Sequence, residues 1–135
     1  PWHRKWKELF PSNQVEVTIE NHRADIIRKD GTILELQHSP ISTEVILERE
    51  KVYKNMFWLF DGTDLLGKGL NLRKRDNYYS FRWKHARKHY SQCEKDVFID
   101  LDICIFLMKK IYLGPPCGGW GVVITNNEFK GWLLE

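Results

Sequence analysis

The chain has 135 residues, 42% of them hydrophobic and 13% aromatic, and a formal net charge of +3. This length suits one domain with a real core, the aromatic content argues against disorder, and no apolar run approaches the roughly 18 residues of a membrane span. Cys93, Cys104 and Cys117 are odd in number and lack CxxC-type spacing, which argues against a disulfide framework or a zinc site and for a reducing, cytoplasmic setting.

In chain order, Pro1 stands where an initiating Met would, so the absence of a leader says little about targeting. Trp2, Trp6 and Phe10, with charges between them, predict an amphipathic helix that Pro11 ends. Val15, Val17 and Ile19 alternate with polar residues and predict a half-buried strand over residues 14–20. Two more strands, residues 23–28 and 32–37, flank the turn sequence KDG. Ser39-Pro40 opens a predicted helix to about Lys54, with Ile41, Val45 and Val52 on its apolar stripe and Glu44, Glu48 and Lys51 on a polar one. The run MFWLFDG predicts a strand covered on both faces.

LNLRKRD and YYSFRWK predict a hairpin, followed by a short basic helix at 85–92 and strands at 97–101 and 103–113. Residues 114–121, with two prolines and four glycines, predict a loop, and Thr125 caps a closing helix carrying Phe129, Trp132 and Leu133. The whole predicts a single α/β domain over 1–135, with a mixed, largely antiparallel sheet flanked by helices. Residues 1–62 form its core, and 63–135 add a basic, β-rich C-terminal extension with closing strands and helix.

The hairpin around KDG carries the first chemical signal. A three-residue loop with Gly last, in the left-handed region, closes hairpins through a type I turn and a G1 bulge. Lys29-Asp30-Gly31 fits, pairs Arg28 with Thr32, and sets Asp25 directly opposite Glu35. Gln37 lies on the same face as Glu35, and Ala24, Ile26, Leu34 and Leu36 are expected on the other. A two-residue loop would shift the register and separate the acids. Facing carboxylates repel unless a cation lies between them or one takes a proton. Hard oxygens at this spacing suit Mg²⁺ or Mn²⁺; the alternative is one acid turned outward and paired with Arg23 or another base.

Charge is unevenly distributed. Residues 68–90 hold eight bases (Lys68, Arg73, Lys74, Arg75, Arg82, Lys84, Arg87 and Lys88) and one acid, Asp76, giving +7, while the rest of the chain carries −4. Such a concentration is the footprint of a nucleic-acid binder, with Trp83 and Tyr79 as candidate base-stacking rings. The alternative is a solvated basic face with core aromatics between its charges. Two weaker signals stand beside it. Asp100 and Asp102 in FIDLD sit at alternate positions of a predicted strand, as a metal pair or as exposed acids. GTDLLGKG lacks P-loop spacing.

Asp25, then ELQ (Glu35-Leu36-Gln37) ending the next strand, then a helix, resembles the PD-(D/E)xK nuclease core. More narrowly, HRADI, ELQHSPIS, EREKVY and WLFDG, with the opening WHRKWK, resemble the nuclease domain of the competence protein CoiA-like family over residues 2–62. Beyond Gly62 the likeness is limited to VFIDLD and the closing helix. The resemblance implies that Asp25 and Glu35 are catalytic, metal-binding acids and that the Leu36 carbonyl is a further ligand. It places Gln37 where the motif has lysine. Glutamine orients a water by hydrogen bonds but supplies no charge. A second metal ion, or Lys7, Arg49 or Lys51, would have to supply that charge. His3 is an accessory candidate, as are His22 and His38, which flank the hairpin.

The function so implied is a nuclease using Mg²⁺ or Mn²⁺ on nucleic acid, DNA favoured, gripped through Arg73, Arg75, Arg82, Lys84, Arg87 and Lys88, with no membrane partner. Two alternatives remain open. One is a nucleic-acid-binding module on a nuclease scaffold that has lost its chemistry; the other is a protein-interaction domain using the aromatic surface.

Overall fold

The protein is described by a computed structural model covering residues 1–87 and 89–135. Helix α1 (Trp2–Lys7) leads through a 3-10 turn (Ser12–Gln14) to strands β1 (Val15–Ile19), β2 (His22–Ile27) and β3 (Ile33–Gln37). Helix α2 (Thr43–Tyr53), strand β4 (Met56–Asp61) and the hairpin β5 (Leu70–Lys74) and β6 (Tyr79–Trp83) follow. Helix α3 (His89–Gln92), strands β7 (Val97–Asp100), β8 (Ile105–Tyr112) and β9 (Gly118–Ile124), and helix α4 (Asn126–Leu133) complete the chain. Among the described residues the nine strands form one sheet, ordered β1-β2-β3-β4-β7-β8-β9-β6-β5. Strands β3, β4 and β7 are mutually parallel, and the other neighbours are antiparallel. None of the described helices is long and apolar enough to cross a membrane.

Strand β4 shows why its sequence is apolar throughout. Met56, Trp58 and Phe60 pack with Ile46 and Tyr53 of α2 and Tyr90 of α3, while Phe57 and Leu59 pack with Trp6 and Phe10 from the α1 region and Phe129 of α4. Both faces are covered, so alternation disappears. The predicted "LNLRKRD"–"YYSFRWK" hairpin forms, with Leu70 opposite Trp83 and Lys74 opposite Tyr79. Strand β6 pairs with β9, so the hairpin continues the same sheet.

Several boundaries differ from expectation. Helix α1 stops at Lys7, and turn bonds such as Phe10 N–H to the Lys7 carbonyl (3.1 Å) bring Phe10 into the core. Helix α2 begins four residues later than expected, at Thr43, because Pro40 disfavours helical backbone at Ser39 and the Ser42 hydroxyl caps Val45 N–H at 3.3 Å. Its buried residues are Ile46, Glu50 and Tyr53, while Ile41 and Val52 of the expected stripe pack half-buried against the same core. The buried Glu50 carboxylate accepts the Trp58 indole N–H (2.9 Å) and the backbone N–H groups of Glu94 and Lys95. Of the expected basic helix at 85–92, α3 spans His89–Gln92, His85 to Arg87 are not helical, and Lys88 lies outside the described residues. Strand β7 ends at Asp100, and Asp102 lies beyond it in a left-handed conformation (φ 73°), so the two acids do not share a strand face.

The largest correction is the segment expected to be a loop. Residues 118–121 are part of β9. Their glycines serve close packing within the sheet: a Cβ on Gly119 would lie 1.9 Å from the Lys110 carbonyl oxygen. Glycine there removes a clash with backbone that cannot move aside.

Replacing Gly119 with Ala is therefore expected to destabilise the protein by ~1–3 kcal/mol. Gly131→Ala, inside α4 with open space around the new methyl, should stabilise by ~1 kcal/mol. Thermal unfolding of the two variants checks both signs.

Candidate active site

The KDG turn forms as its residues dictate. Gly31 has φ 89°, its N–H donates to the Arg28 carbonyl at 2.9 Å, and Arg28 N–H donates to the Thr32 carbonyl at 2.8 Å. Asp30 secures the turn by accepting Thr32 N–H at 2.9 Å. The ladder then runs Ile27 to Ile33 and Ile26 to Leu34, which brings Asp25 opposite Glu35.

At that point the backbone ladder gives way to the side chains. Asp25 N–H donates to Glu35 Oε2 at 2.9 Å, and Leu36 N–H donates to Asp25 Oδ2 at 2.8 Å. Each acid thus accepts an N–H from the facing strand. On the other side of Asp25, Glu16 adopts φ 53° and drops out of the β1–β2 ladder, although Val15–Ile26 and Val17–Ala24 stay paired. The irregularity breaks the alternation of β2. Ile26 packs with Leu34 and Leu36 as expected, but Ala24 joins the α2-side core with Ile33.

Two cations close on the pair from opposite layers. Lys7 of α1 places Nζ 3.4 Å from Asp25 Oδ1 and 3.8 Å from Glu16. Arg49 of α2 places a guanidinium nitrogen 2.8 Å from Glu35 Oε1. Glu35 is fully buried, at 0% exposure. Burial, joined by the Asp25 charge, pushes its carboxyl up to about 7 against the opposing pull of Asp25 N–H and Arg49. Tyr53 is pushed up to about 12, chiefly by burial and then by the Glu35 charge, so near neutral pH it keeps its proton.

Of the expected accessory groups, Lys7 and Arg49 therefore meet the acids, whereas Lys51 is exposed on α2. Gln37 follows Glu35 on β3, with its amide nitrogen donating to the Ser39 carbonyl at 2.6 Å. His3 stacks edge-on with Trp2 and lies 6.2 Å, ring to ring, from His38. His38 pairs through Nδ1 with Asp61 at 2.6 Å, at the end of β4, and His22 pairs with Glu48 at 3.1 Å. Burial opposes ionisation of Asp61, but the Thr63 N–H and hydroxyl and His38 hold its carboxyl below the ordinary value. Asp100 is a buried anchor that accepts the indole N–H groups of Trp2 (2.8 Å) and Trp6 (3.3 Å). Among the described residues no three or more His, Cys, Asp and Glu side chains form a ready metal-binding group.

Sequence reasoning missed Glu16, Tyr53 and Asp61. Only the fold brings their strands and helix to the hairpin. In the basic segment, Arg73, Arg75, Arg82 and Lys84 are exposed, Arg87 is half-buried beside the Tyr90 hydroxyl, and Lys88 lies outside the described residues. Trp83 is a core residue at 2% exposure and Tyr79 is half-buried, so the exposed stacking role expected of Trp83 is excluded.

Fold and site together define a nuclease-like α/β domain whose paired acids interrupt a mixed sheet. Residues 7–112 match the family model described as "Competence protein CoiA, nuclease-like domain", and the chain belongs to this family. No curated protein and no solved structure matches the chain.

The Glu35 shift has a definite sign in stability. Between the ordinary value of 4.5 and about 7 the folded protein holds a proton that the unfolded chain has released, so stability falls as pH rises through that window. The slope expected from this group is at most about 1.4 kcal/mol per pH unit. Urea titrations in metal-free buffer should show it in the wild type and a flattened dependence in Glu35→Gln.

Proposed function

We propose that this domain is a divalent-metal-dependent nuclease of the PD-(D/E)xK type, hydrolysing phosphodiester bonds, with DNA the favoured substrate. The observation that carries the reading is the convergence of Asp25 and Glu35 from facing strands, each locked by the other strand's N–H and each met by a cation.

The donor set fits Mg²⁺ or Mn²⁺. Oδ2 and Oε2 are spent on backbone N–H groups, and Oδ1 and Oε1 meet the side-chain cations of Lys7 and Arg49, which can swing aside. Asp25, Glu35 and the Leu36 carbonyl would hold the ion, with water or phosphate oxygens completing its preferred shell of six. When bound, such an ion lowers the pKa of a coordinated water and offsets charge on the leaving oxygen.

The protein's own groups do the rest. Gln37 gives its amide nitrogen to Ser39, which leaves its carbonyl oxygen free to accept from, and so orient, the attacking water. Lys7 and Arg49 provide the positive charge that the motif lysine would have supplied to the phosphate. Buried in the sheet, Glu35 cannot reorient, which keeps the acid pair in place between turnovers. The glutamine favours a second reading, a nucleic-acid-binding module without hydrolysis.

Cleavage of labelled single-stranded DNA, duplex DNA and RNA with Mg²⁺, Mn²⁺ or EDTA separates the two. Asp25→Ala and Glu35→Ala should each lose at least roughly 100-fold in rate, and EDTA should abolish cleavage. Gln37→Ala, Lys7→Ala and Arg49→Ala should retain measurable but reduced rates. Cleavage that survives loss of both acids would sink the proposal.

A further inference from the structure

Among the described residues, the half of the sheet farthest from the acid pair has an outward face exposed at Arg73, Arg82, Lys110, Tyr112 and Trp120. Its composition follows from register. Trp120 of β9 pairs with Lys110 of β8 on one side and Ser80 of β6 on the other, and Ser80 pairs with Arg73 of β5. One step along, at alternate positions on the same face, Tyr112 pairs with Gly118, Gly118 with Arg82, and Arg82 with Asn71. The intervening rows, which hold Phe81, Trp83 and Ile111, turn inward to the core.

These outward rows carry rings and bases and no acid. Tyr112 is 58% exposed, Trp120 40% and Tyr78 39%, unusual for large aromatics on a small domain. They are held rather than loose. The edge of Tyr78 meets Trp120 with centroids 5.6 Å apart, Lys110 Nζ lies 5.7 Å from the Tyr112 ring centre, and Arg75 Nε donates to Ser80 Oγ at 3.0 Å. Two clefts, of about 500 and about 270 Å³, open along the β5–β6 hairpin and share Asn71 and Arg82 in their walls, again with no acid.

We propose that this outward face of β5, β6, β9 and the end of β8 binds single-stranded nucleic acid. Phosphates lie along Arg73, Arg82 and Lys110, and unpaired bases stack on Trp120 and Tyr112. Positive charge alone would serve a duplex as well as a single strand. Exposed rings discriminate, because a base must be unpaired and unstacked to lie on them. Alternating β residues space the rings and cations along one surface. The face is opposite the one bearing Glu35: Glu35 lies in the row of Trp58, Val97, Met108, Gly121 and Tyr79, which faces the α2-side core. Binding there needs no catalytic step, so it is separable from the nuclease reading.

The test uses the full chain carrying Glu35→Gln in EDTA, with fluorescence anisotropy of a labelled oligothymidylate and of a duplex of the same length. The single strand should bind at least roughly tenfold tighter than the duplex. Trp120→Ala combined with Tyr112→Ala should lose roughly tenfold or more on the single strand and leave the duplex unchanged, while Trp120→Phe keeps most of the affinity. Arg73→Ala with Arg82→Ala should weaken both and lower the slope of log affinity against log salt by roughly 0.7 to 0.9 for each phosphate that is no longer neutralised.

Ultraviolet crosslinking of the oligothymidylate to the chain with intact rings should label the peptide containing Tyr112 or Trp120, a readout that does not depend on how the alanine variant folds. Crosslinks confined to other peptides, equal or tighter duplex binding, or full affinity in the double alanine variant would overturn the proposal. So would failure to bind either nucleic acid, which would leave the face to a protein partner. Single-strand binding with no cleavage by the wild type under Mg²⁺ would instead uphold this surface and sink only the nuclease reading.

Discussion

Two carboxylates held face to face across a β-ladder repel each other, and the domain resolves this at one point with backbone hydrogen bonds. Asp25 and Glu35 each accept an N–H from the opposite strand, so the ladder is interrupted where the charges meet. Much of the surrounding architecture keeps that interruption in register. The Gly31 turn sets the offset between β2 and β3. Arg28, just before it, is buried and ties the turn end of the hairpin to α4, donating to the Trp132 carbonyl at 2.6 Å and the Leu133 carbonyl at 3.1 Å with its guanidinium over the Trp132 ring. Helices α1 and α2 then each deliver one cation.

Buried acids elsewhere follow the same rule, that a polar group removed from water needs partners. Glu50 gathers an indole N–H and two backbone N–H groups, joining α2 to β4 and the segment before β7. Asp100 gathers the indoles of Trp2 and Trp6, pinning α1 against the end of β7. Among the described residues no buried side-chain nitrogen or oxygen lacks a partner. Glu35 is buried beside another carboxylate, that of Asp25, on the facing strand. Its raised pKa reflects burial beside that charge, and a cation with access to the site would relieve it.

The sheet also separates two kinds of surface. Toward α2 it packs large rings around Trp58 and Phe60 and bears Glu35 at its edge. Away from α2, the half formed by β5, β6, β9 and β8 shows bases and rings to solvent. Alternation along a strand is enough to keep them apart, since neighbouring residues point to opposite faces. The net charge of +3 therefore hides a division between a site that gathers acids and a face that has none.

The sequence by itself determined what short-range geometry governs. KDG specified its turn and, through period-two alternation, the meeting of Asp25 and Glu35; Thr125 specified a helix cap; β4's unbroken apolar run specified a strand covered twice. It also carried the family likeness, because those motifs lie close together in the chain. Tertiary structure decided what depends on distant partners. Lys7 and Arg49 reach the acids, and Lys51 does not, only because of how α1 and α2 dock. Gly118, Gly119 and Gly121 look like loop residues until β6 and β8 close on either side and leave no room for a Cβ. Trp83 and Trp120 each sit among bases or glycines with no local sign of burial. Which of the two faces solvent was decided by strand pairing across the sheet, and pairing between distant segments leaves no mark in the local pattern of residues.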